Sequence, residues 1–239
     1  MVPAETFVSE LDAKNQPSIQ RVIAALNDGL GKEGVEVADT LRMALKAAIE
    51  LAEVAALWVT DCNDLEMKLS LAEQCGDGAR QCRRISARLV ALGVADYDPR
   101  NGGYSKLFAF LRSLQTPEER SSAGYLTGKA LSMARLAALS AFCTQKGDAE
   151  SARLLGAEIA EEERRYYQEG QRLLVGATAT EESQARARRL PHPRVGRRDG
   201  RASGAAQDAQ QAALSRTREG SRDAIVDFVC RQRLRRLAR

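Results

Sequence analysis

Histidine is almost missing from this sequence. Its 239 residues hold one, His192, inside an arginine-rich stretch near the end. That excludes a centre built on several imidazoles, the usual ligands of dinuclear iron and many other metal sites. Aromatic residues make up only 5%, which favours close-packed helices over sheet. No apolar run approaches the roughly 18 residues that span a bilayer. The opening MVPAETFVSELDAKNQ lacks the basic and apolar regions of a signal peptide, so the expectation is a cytoplasmic protein with no membrane span. The five cysteines form no CxxC and leave one over in any pairing, as suits a reducing compartment. Cys75 and Cys82, seven apart, read as buried small apolar residues. No Gly-rich phosphate loop, GxSxG elbow or Cys/His dyad occurs.

From residue 177 on there is no lysine, and arginine abounds. From Ala177 to the end there are 15 Arg and 7 Asp+Glu, a net of +8, so with +4 for the whole chain residues 1–176 carry −4. An acidic body thus precedes a basic tail. The tail has no sustained apolar stripe and is expected to be largely disordered, with a short basic amphipathic helix at Asp223–Leu237. Clustered arginines suit phosphates, but Phe228 is the tail's one aromatic and no nucleic-acid motif is present; specific nucleic-acid binding is not expected. Arginine without lysine is also what a GC-rich gene gives when read in a shifted frame.

With 44% hydrophobic residues, the chain is long enough to bury a core. Residues 1–36 read as a leader with a short helix at Ser18–Leu30, broken by Gly29, Gly31 and Gly34. Leu41, Leu45, Ala48, Ala52, Ala55 and Val59 recur at helical spacing, with Asp39 as expected N-cap. Asp64 caps a second helix that Gly93 closes. A connection from Val94 to Gln115 holds Pro99, Gly102 and Gly103. Thr116-Pro117-Glu118-Glu119 joins an N-cap, a first-turn proline and a capping-box glutamate, starting a third helix to about Lys146. Asp148 caps a fourth that runs to about Val175. Short loop, long crossover, short loop predicts an all-α, ferritin-like four-helix bundle over residues 37–176, followed by the tail at 177–239.

The stretches LEMKLSLAEQCGDGARQCRRISARLVALG, LRSLQTPEERSSAGYLTGKALSM and GDAESARLLGAEIAEEERRYYQEGQRLL resemble ferritin-like, rubrerythrin-type bacterial proteins over roughly residues 39–175. The resemblance implies metal-dependent redox or oxygen chemistry in intact members, on glutamates and histidines of the four helices. At the matching positions this chain has Gly78 and Gln81 in the second helix, Lys129 in the third, and Glu163 and Tyr166 in the fourth; Glu50 or Glu53 is the first-helix carboxylate. What it implies here is a degenerate di-metal site of which Glu50, Glu53, Glu163 and Tyr166 are remnants. An inward Lys129 would place an ammonium where the metals sit and pair with Glu163.

Three functional readings follow. The first is a non-catalytic ferritin-like protein without cofactor, serving as a scaffold, as a subunit of a homodimer or of a complex with a partner, or as a small-ligand binder. The second is an oxidoreductase holding iron or manganese on the remnant Glu50 or Glu53, Glu163 and Tyr166. The third is binding of nucleic acid or an acidic surface by the arginine-rich tail.

Overall fold

The structure, a computed structural model, describes residues 2–94, 97–99 and 103–188, and the described residues form helices and connections with no strand. The expected terminal helix at Asp223–Leu237 and the rest of 189–239 lie outside the described residues. Seven helical runs follow one another: α1 (Ala4–Leu30), α2 (Val37–Asp61), α3 (Leu65–Ala91), α4 (Lys106–Arg112), α5 (117–145), α6 (149–177) and α7 (Glu181–Arg188). No helix is long and apolar enough among the described residues to cross a membrane.

The punctuation works largely as the residues predict. Asp64 accepts the Met67 N–H, Thr116 and Glu119 form a capping box, Asp148 accepts the Ser151 N–H, and Gly93 and Gly147 take positive φ just past helix ends. At α2 the N-cap is Glu36 instead of Asp39; Asp39 is the third residue of the box and accepts the Glu36 N–H at 3.1 Å.

Two expected boundaries are corrected. The leader is a 27-residue helix that passes straight through Pro17. Proline costs an interior helix one hydrogen bond and favours its first turn, so sequence places the start after it; tertiary packing outweighs that loss. Phe7 and Val8 before Pro17, and Ile19 and Val22 after it, are all buried against α5, α6 and α7. At the other end, residues 177–188 belong to the body. Ala187 packs with Phe7, Val8, Leu126 and Leu174, the Gln184 amide donates to the Val2 and Thr178 carbonyls, and Arg186 pairs with Glu118 at 2.8 Å.

Small residues set how near the helices come. The α2–α3 pair packs closely, because Gly78 faces Ala52: a Cβ on Gly78 would lie 2.7 Å from the Ala52 Cβ. Gly170 of α6 likewise lies against Tyr125 of α5, where an added Cβ would come within 2.3 Å of the Tyr125 Cβ.

The α5 and α6 runs each contain a π-helical stretch, Ser121–Gly128 and Leu154–Ile159. A π turn inserts one residue and rotates everything after it by about 100° relative to an uninterrupted helix. Lys129 is the first residue beyond one stretch, and Glu163 lies one turn beyond the other.

Candidate functional site

Two apolar clusters fill the space between the long helices. One is built on Leu41, Leu45, Ile85, Leu89, Leu139 and Leu155, the other on Trp58, Met67, Leu71, Phe108, Leu111 and Tyr125. A polar layer divides them, because on α3 the buried Asp77 and Gln81 come between Leu71 and Ile85, and on α5 Lys129 comes between Tyr125 and Leu136.

At its centre the Lys129 Nζ donates to Glu163 Oε1 at 3.1 Å, with side chains 7% and 4% exposed. The ammonium also lies 5.0 Å from the centroid of the Tyr166 ring, within cation–π range. The Tyr166 hydroxyl in turn donates to Asp77 Oδ2 at 2.5 Å. Arg80 and Arg165 complete the coordination of Asp77 from the surface. Glu163 Oε2 is buried and has no hydrogen-bond partner within the protein.

The remaining sequence-predicted positions fall outside this centre. Gln81 is buried and donates to Glu162 at 2.8 Å, joining a ladder in which Arg84 meets Glu158 and Glu162, and Arg88 meets Asp148. Glu50, expected as a remnant ligand, is buried, yet its carboxylate accepts the Ser105 backbone N–H at 2.8 Å and the Ser105 hydroxyl, with Lys46 at 3.0 Å. It anchors the start of α4. Glu53 raises the Tyr104 pKa, and its charge adds to burial in raising the Cys82 thiol pKa, which places it toward α3 and the crossover; its Oε2 is buried without a hydrogen-bond partner. Gly78, the expected relic of a glutamate, faces Ala52 and leaves no room for a side chain.

Asp77 is the functional residue that sequence reasoning passed over. The signal was there: it is the one acid on the inward stripe of α3 that runs Met67, Leu71, Gln81, Ile85, Leu89. The neighbouring Gly78 and Gln81 carried the resemblance instead.

Comparison of the chain with protein-family models, curated proteins and solved structures finds no match. The chemistry of the layer therefore rests on its own residues.

Those residues do not fit a dinuclear metal centre. Among the described residues no three His, Cys, Asp or Glu side chains converge as metal ligands. The cavity beside the layer, lined by Ala48, Leu51, Gln81, Ser132 and Ile159 among others, measures about 10 Å³, room for about one water. Lys129 brings positive charge to the one inward glutamate that both sequence and structure place at the centre. Burial also raises the thiol pKa of Cys75, Cys82 and Cys143, which keeps them protonated and poorly nucleophilic near neutral pH.

Tyr166 is poised to stay neutral. Burial, opposed by the hydrogen bond and charge of Arg165, pushes its pKa up to about 12. Burial raises Tyr125 and Tyr167 as well, the latter helped by Asp12. These groups hold protons that an unfolded chain releases near pH 10, so their contribution to stability is complete below about pH 10 and is lost as the pH rises through the folded values. In an alkaline titration followed by tyrosinate absorbance, the native protein is expected to ionise these three tyrosines only above about pH 12 or on unfolding, whereas denatured chain titrates near 10. Ionisation of all five tyrosines near pH 10 with the fold intact would contradict the buried placement.

Proposed function

We propose that the chain is a diverged ferritin-like helical bundle that works without a metal, as a scaffold or partner subunit, with a lysine–glutamate pair as its polar centre. The observation that carries this reading is the 3.1 Å contact between buried Lys129 and Glu163. An ammonium bonded to a carboxylate repels a divalent ion from it and supplies the countercharge that a metal would. Glu50, one of the two carboxylates that a remnant oxidoreductase site would take as a further ligand, is engaged with Ser105 and Lys46.

The test is metal analysis of full-length protein purified after growth with iron and manganese. Less than about a tenth of an equivalent of either metal is expected. Bound metal near one or two equivalents, lost on substituting Glu163, would replace this reading with the oxidoreductase one.

A further inference from the structure

α3 is apolar on two opposite sides. Its inner side, with Met67, Leu71, Ile85 and Leu89, is buried in the core. Its outer side keeps three aliphatic residues in water: Leu65, Leu69 and Val90 are 66%, 53% and 60% exposed. Between them Ala72, Gly76, Ala79 and Ala87 continue the stripe at spacings of three and four residues, and Arg83 is its one charge. Such spacing is that of the seam between paired helices, and exposed aliphatic residues in a row mark a surface that another molecule covers.

The charges beside the stripe are divided along its length. On the side toward α6, Glu66 and Glu73 border the first half, and Arg80 and Arg84 border the second. Two such helices laid parallel would set acid against acid and arginine against arginine. Laid antiparallel, each sets its acidic half against the basic half of the other, so the surface is complementary to itself in that direction alone.

We propose that the outer side of α3 is where a second copy of this chain docks, antiparallel about a two-fold axis beside residues 77 and 78. In that register Leu65 lies by Val90 of the second copy, Leu69 by its Ala87, and Gly76 by its Ala79, where small side chains let the backbones come close. Glu73 comes within a turn of Arg83 of the second copy; both are exposed and have no ion-pair partner among the described residues. The 27 residues of α3 span about 40 Å. A strip of that length and about 20 Å wide supplies the roughly 800 Å² per partner of a stable interface. The inference rests on the subunit reading above and names its partner.

Sedimentation velocity on full-length protein at about 50 μM tests the pairing. The unsubstituted chain is expected to sediment as a dimer. Leu69→Glu, at an exposed position, is expected to keep its helical circular dichroism while its dissociation constant rises at least about a hundredfold, because the two-fold axis brings two carboxylates into the apolar contact. Glu73→Arg and Arg83→Glu are each expected to weaken their own dimer by about tenfold or more through like charges. Mixed in equal amounts, these two variants are expected to form dimers again, since every arginine then meets a carboxylate of the other copy. A monomeric unsubstituted protein overturns the proposal, as does a dimer that Leu69→Glu leaves intact, or a mixture no more dimeric than its components. A dimer kept in Leu69→Glu but lost on ending the chain after Arg188 overturns it in favour of residues 189–239. Metal-free monomer refutes the pairing alone, and metal-loaded dimer refutes the metal-free reading alone.

Discussion

Lys129→Met alone is expected to destabilise the protein by about 3–5 kcal/mol, because it strands the Glu163 carboxylate in the interior. That carboxylate already has one oxygen without a partner, so no second donor is at hand to replace the ammonium. Glu163→Leu is expected to cost a similar amount, because it leaves the buried Lys129 ammonium against the Tyr166 ring without its carboxylate. The double variant Lys129→Met/Glu163→Leu removes both charges and is expected to recover most of the loss, since apolar replacements of buried pairs are often neutral or stabilising. Urea unfolding followed by the fluorescence of Trp58, the sole tryptophan and a buried one, measures all three. Costs that add in the double variant would show that the two side chains are not coupled. Single costs below about 1 kcal/mol would show a pair that water reaches.

The second large effect concerns the C-terminal boundary. Ending the chain after Gly176 removes α7, uncovers Phe7, Val8, Leu126 and Leu174, and takes Arg186 from Glu118. Uncovering on the order of 120 Å² of apolar surface costs roughly 3 kcal/mol, and the partly exposed ion pair adds at most about 1. A melting temperature lower by about 10 °C is expected for a body of this size. Ending it after Arg188 keeps these contacts and should leave the melting temperature within about 2 °C. Equal melting of the two truncations would mean that α7 contributes nothing. The pair also has a pH signature. Burial alone would raise the Glu118 pKa, but hydrogen bonds from Arg186 and from the backbone hold it below the ordinary value. Its contribution is thus present at neutral pH and lost as the pH falls through that lowered value, so the gap between the truncations narrows in acid.

What could be read in advance follows from the range of the physics involved. Caps at Asp64, Thr116 and Asp148, and positive-φ glycines at Gly93 and Gly147, are local: the donors and acceptors lie within four residues, so the sequence displays them. Lys129 was legible because a charge is costly to bury and stands out against the apolar KALSMARLAALSAFCTQ; Glu163 lies in an acidic run and was singled out by the resemblance alone. Glu50 was misplaced for the complementary reason. The resemblance offered it or Glu53 as the inward carboxylate of α2, but its partner Ser105 is 55 residues away across a long crossover, and no spacing rule reaches that far. Asp77 was missed because its partners, Tyr166 and Arg165, lie on another helix.

By itself, the sequence determined that this protein is helical, where most helices begin and end, and that it has no cluster of imidazoles. Those outcomes depend on local hydrogen bonding and on composition. Tertiary structure alone decided that residues 4–30 and 181–188 join the body, that α5 and α6 carry π turns, and that Asp77 holds Tyr166. Each of these depends on which surfaces meet, and for the π turns the local helical preference points the other way.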